Sequence, residues 1–142
     1  MKKKGIIPII AIIIILFFCW NGKIEFVQSK VRTNLFLIKN PPKNDSLLKK
    51  EITLFLIKTH SKNDSVPKLF YRYSWNTKYF LDHEEDPGGF SSEELINYPE
   101  DNIANFIISK CENDKTKLVG ELRFYNEWGD HYKPDTIIYK CD

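Results

Sequence analysis

The densest run of oxygen donors in the chain is Asp82-His-Glu-Glu-Asp86-Pro-Gly-Gly-Phe-Ser-Ser-Glu93. Its carboxylates at Asp82, Glu84, Asp86 and Glu93 are hard ligands, and alternate positions of one loop can converge on a divalent cation such as calcium. The same four residues, with His83 among them, are those a metal-dependent hydrolase would use to hold its ion. A softer metal has less to work with. The histidines stand apart at 60, 83 and 131, and no His-x-x-x-His or Cys-x-x-Cys pair places two ligands on one element.

The carboxylate spacing resembles that of an EF-hand loop, which uses positions 1, 3, 5 and 12. Pro87 stands where that loop has Gly, and Gly89 where it has an apolar residue. The competing reading is a solvated acidic turn ahead of a helix, whose N-terminal dipole favours Glu93 and Glu94. No cofactor is expected as an obligate part of the protein, and calcium is the one candidate. Nucleophilic chemistry has no motif behind it. Cys111 with His131 is the nearest to a pair, and neither a Gly-x-Ser-x-Gly elbow nor a phosphate-cradling glycine loop occurs. The balance is therefore toward a non-enzyme. Tyr71, Tyr73 and Trp75 alternate along one predicted strand and form either an aromatic platform for a sugar or peptide, or part of the core.

Residues Ile6 to Trp20 carry no charge over fifteen positions and follow Lys2, Lys3 and Lys4. Such a segment enters a bilayer or a translocon, because in water it would expose a large apolar surface. The lysines keep the N-terminus cytoplasmic and send the rest of the chain outside. Between Leu16 and Lys23 no pair of small residues offers a signal-peptidase site, so an uncleaved signal anchor over residues 1–22 is expected. Leu16-Phe-Phe-Cys19 resembles a bacterial lipobox, with Phe18 where that motif has Gly, Ala or Ser; the resemblance implies lipidation at Cys19. Either version leaves a tethered domain, residues 23–142, in the periplasm or on the cell surface. There, Cys111 and Cys141 can pair as a disulfide or remain as two buried thiols.

The elements that must position these residues read mainly as strands. Short β-branched and aromatic runs bounded by Asn, Asp, Gly and Pro place strands near 24–29, 33–39, 52–58, 69–75, 105–111, 117–125 and 135–140. Segment 46–57 also fits a helix capped at Asp45, with Leu48, Ile52 and Phe55 at helical spacing, and is assigned to a strand. Leu35-Phe-Leu-Ile-Lys39 recurs 19 residues later as Leu54-Phe-Leu-Ile-Lys58, which suggests two paired strands. Ser91-Ser-Glu-Glu94 forms a capping box for a short helix through Leu95 and Ile96, ended by Pro99. The expected fold is α+β: the membrane helix, then one mostly antiparallel β-rich domain with one or two short helices.

Charge narrows the partners. With the three N-terminal lysines set aside, 18 basic residues face 19 acidic ones, a net charge of −1. No basic stripe runs along any element, which argues against nucleic acid. The expected function is a membrane-tethered, extracytoplasmic binding or interaction protein with a protein partner, such as an immunity-type inhibitor or an envelope accessory protein. The alternative is the divalent-metal-dependent envelope hydrolase built on Asp82, Glu84, Asp86 and Glu93.

Overall fold

A computed structural model of the chain describes residues 22–60, 65–83, 92–126 and 128–139, without the side chains of 92–94, 133–137 and 139. Six strands form one sheet in the order of the sequence: β1 (Glu25–Gln28), β2 (Leu35–Lys39), β3 (Lys68–Arg72), β4 (Asn102–Lys110), β5 (Leu118–Tyr125) and β6 (His131–Tyr139). Helix α1 (Asp45–Thr59) connects β2 to β3. That pair is parallel and every other neighbouring pair is antiparallel, so the fold is α+β with a mostly antiparallel sheet. A parallel pair needs a long crossover, and α1 supplies it.

The helix corrects the strand expected at 52–58. Asn44 caps it, its side chain accepting a hydrogen bond from Leu47 N at 3.0 Å, and the cap stands one residue before the expected Asp45. Leu48, Ile52 and Leu56 then recur every four residues on the buried side. His60 ends the helix with its backbone N–H donating to Leu56 O. The helical period of these residues outweighs the strand preference of the run Leu54 to Ile57, because only a helix brings all three onto the sheet.

The face of the sheet under α1 holds the larger core: Phe36 and Ile38 from β2, Phe70 from β3, Phe106 from β4, and Leu122 and Phe124 from β5. Antiparallel register sets Phe106 against Leu122 and Ala104 against Phe124. A bulge where β4 meets β3 puts an extra residue, Ile103, beside Ala104, and both belong to the same core. Phe55 of α1 reaches into this layer, stacked on Phe26 at 4.1 Å and edge-on to Phe36 at 5.2 Å.

The opposite face carries a second, smaller core of Leu35, Leu37, Tyr71, Phe80 and Leu95. It is closed by short 3₁₀ helices at Thr77–Leu81 and Ser92–Asn97, the second of which stands where the capping box predicted a helix. Strand β2 is therefore covered on both faces, and Leu35 through Ile38 are all buried. Ser29 staples the β1–β2 turn to this layer: its hydroxyl donates to Phe80 O at 2.7 Å and accepts from Arg32 N at 3.0 Å.

Candidate functional site

Of the residues singled out by sequence, those described stand apart from one another in the fold. Asp82 is an exposed partner of Lys30, with Nζ and Oδ1 2.7 Å apart. The hydrogen bond and charge of Lys30 lower the Asp82 pKa below the usual carboxylate value. Glu84 and Asp86 lie outside the described residues, as does the side chain of Glu93. Among the described residues, no group of three or more His, Cys, Asp or Glu side chains is arranged to hold a metal ion. His83 instead stacks on Tyr79 at 3.8 Å.

Tyr71, Tyr73 and Trp75 do not share one strand face, because β3 ends at Arg72. Tyr71 is buried in the second core, where burial first and Tyr125 second raise its pKa. Tyr73 is partly exposed beside Lys39, whose Nζ lies 5.1 Å from its ring. Trp75 stands in the following turn, 82% exposed, with Lys78 Nζ 3.2 Å from its ring centre. That turn is a structural joint. The Thr77 hydroxyl donates to Arg72 O at 2.6 Å, and the Ser74 hydroxyl donates to the buried Asp101 carboxylate at 2.6 Å.

Cys111 is disulfide-bonded, while Cys141 and the lipobox Cys19 lie outside the described residues. Residues 6–20 are outside them too; among those described, no helix is long and apolar enough to cross a membrane.

What the topology does assemble is a cleft of about 690 Å³. It opens where the parallel strands β2 and β3 end and α1 begins, the place where open sheets built on strand–helix–strand units commonly form ligand crevices. Its volume falls within the ~300–1,000 Å³ of small-molecule sites. Pro41, Pro42 and Lys43 line it from the β2–α1 loop, and Asp45 and Leu48 from the helix. Arg72 enters from the end of β3, Glu100 and Asn102 from the approach to β4, and Tyr125 and Tyr132 from β5 and β6.

One wall is tied together around Asp45. The Tyr132 hydroxyl donates to Asp45 Oδ1 at 2.8 Å, and Lys49 Nζ lies 3.2 Å from Asp45 Oδ2. The same ammonium lies 4.2 Å from the centre of the Tyr132 ring and 5.3 Å from that of Phe124. Burial and the Asp45 carboxylate together push the Tyr132 pKa up to about 12, so the phenol stays a donor well into alkaline conditions. Asn102 also lines the cleft, and its Oδ1 is buried without a hydrogen-bond donor among the described residues. A buried acceptor left in that state carries a desolvation cost.

Trp128 lines the cleft and is 77% exposed. It is presented by a closed turn. Asn126 Oδ1 accepts hydrogen bonds from Trp128 N at 2.9 Å and Asp130 N at 2.8 Å, while Asn126 N donates to Asp130 O at 3.0 Å. Gly129 has φ +79°, and a Cβ there would fall 2.6 Å from Pro99 Cβ, so only glycine lets the turn sit against Pro99.

Sequence reasoning missed this site. Its residues come from five separate segments, and only the fold brings them together. One local signal was available: a tryptophan inside the turn composition Asn126 to Asp130, where a large apolar residue has no folding role to fill. No family model, curated protein or solved structure matches the chain.

Proposed function

We propose that the chain is a membrane-tethered, extracytoplasmic binding protein whose ligand site is the cleft at the start of α1. The observation that carries this reading is Trp128, a large aromatic held in solvent at the cleft by a turn whose Trp128 and Asp130 N–H groups donate to Asn126 Oδ1. Exposed aromatics on rigid supports give large contact area at low entropic cost, the property that makes Trp and Tyr frequent anchors of binding surfaces. The disulfide at Cys111 supports an oxidising compartment, and the lysine-flanked apolar segment at residues 6–20 supports the tether.

The test places a photo-crosslinking amino acid at position 128 or position 75 of the full chain in its native cells. Washed membranes and externally added protease then report the location of a C-terminal tag. The reading expects the protein to stay in carbonate-washed membranes, the tag to be cut from outside, and adducts to form from position 128 and not from position 75. Release by carbonate, a protected tag, or equal adduct yield from the two positions would overturn it.

A further inference from the structure

We propose that the cleft binds a neutral saccharide, one ring lying on Trp128 and its hydroxyls bonded by Arg72, Glu100 and Asn102. This rests on the binding role proposed above and adds the ligand's chemistry.

Electrostatics sets the first limit. Lys43 and Arg72 contribute two positive charges to the lining, Asp45 and Glu100 two negative ones. An anion would ordinarily be drawn to a helix N-terminus, but Asp45 already occupies the first turn of α1 and is itself held by Lys49 and Tyr132. A cation meets the opposing charges of Lys43 and Arg72. Among the described residues the charges of the lining cancel, which suits a ligand without net charge.

The polar groups set the second limit. Arg72 offers a planar fork of donors, Glu100 acceptors, and Asn102 a side-chain amide at the edge of the lining. Flat, mixed donor and acceptor side chains of this kind match vicinal hydroxyls, each of which donates once and accepts twice. A purely apolar ligand would leave them desolvated at a cost.

The aromatic groups set the third. A pyranose ring is apolar on its C–H faces and polar around its edge, so it needs a flat aromatic surface beside a polar wall. Trp128 and Tyr125 supply the first, and Arg72, Glu100 and Asn102 the second. The closed turn from Asn126 to Asp130 fixes Trp128 before any ligand arrives, which removes an ordering cost from binding. The volume of about 690 Å³ accommodates one or two sugar rings.

The test uses the full chain in nanodiscs with its three tryptophans, Trp20, Trp75 and Trp128, replaced by 5-fluorotryptophan and their fluorine signals assigned by single Trp→Phe variants. The probes are neutral mono- and disaccharides of glucose, galactose, mannose and N-acetylhexosamines, together with inorganic phosphate, acetate and free amino acids. A saturable shift of the Trp128 signal by a neutral sugar, with Trp75 unmoved, is the expected result. Asn102→Ala and Glu100→Gln should each then weaken that sugar by about tenfold, circular dichroism and the thermal unfolding midpoint confirming that each variant is folded. A Trp128 shift produced only by phosphate, acetate or an amino acid overturns the saccharide and leaves the binding role standing. A Trp128 signal that no probe moves overturns the saccharide, and the crosslinking yield at position 128 then decides the binding role separately. Unchanged affinity in both folded variants removes Asn102 and Glu100 from the site and overturns the proposed polar wall.

Discussion

The pentapeptide Leu-Phe-Leu-Ile-Lys occurs twice, and the two copies fold differently: residues 35–39 are strand β2, and residues 54–58 are the last full turn of α1. In the strand, Leu35 and Ile38 are fully buried on opposite faces of the sheet. Their counterparts in the helix, Leu54 and Ile57, are 51% and 58% exposed. Leu37 and Leu56 are fully buried in both settings, and Phe36 and Phe55 pack against each other. The same side chains therefore satisfy a layer that needs apolar residues on two faces and a helix that needs them on one. What decides is the flanking sequence. Asn44 caps, Leu48 and Ile52 continue the helical period, and no such frame precedes residue 35.

Truncation at equivalent positions separates the two copies. Ile38→Ala should cost about 2–5 kcal/mol of unfolding free energy in urea titration, as large-to-small changes in a closed core do. Ile57→Ala should stay within about 0.5 kcal/mol, as exposed helix substitutions do. Equal losses would mean that the helical copy is buried after all. Asn44→Ala should cost about 1 kcal/mol by leaving Leu47 N without its acceptor. A double-mutant cycle on Phe36 and Phe55, each to Leu, should return a coupling of about 0.5–1.5 kcal/mol, since their rings meet edge-on.

Tyr132→Phe sharpens the same picture at the other end of the helix. It removes the hydrogen bond to Asp45 and should cost about 0.5–1.5 kcal/mol at neutral pH. The folded pKa is raised above the ordinary tyrosine value of 10.0, so the bond's contribution is whole below that value and is lost as pH rises through about 12. Wild type should therefore lose more stability than the variant over that alkaline interval. Parallel curves from pH 9 to 12 would contradict the Tyr132–Asp45 contact.

Much of the sheet was legible because its strands carry strong local signals. The β4–β5 hairpin follows from the alternation of Leu118, Gly120, Leu122 and Phe124 across the turn at residues 112–117. The helix was misread because its apolar residues are β-formers as well as helix formers, and the repeat argued for a second strand. The end of β3 at Arg72 was hidden for another reason: the Ser74–Thr77–Asp101 bonds that bend the chain there join residues 27 apart in sequence. The cleft was out of reach for the same cause. Arg72, Asn102, Tyr125 and Trp128 come to line one cleft only once β3, β4 and β5 lie side by side.

The proposed binding role requires that Trp128 add little to folding, and urea unfolding of the full-length Trp128→Ala variant beside wild type measures that contribution. The two unfolding free energies should lie within about 0.5 kcal/mol of each other, the range of an exposed side chain. A loss of about 3–5 kcal/mol, the mark of a buried aromatic, would make Trp128 a core residue and contradict the cleft as a binding site.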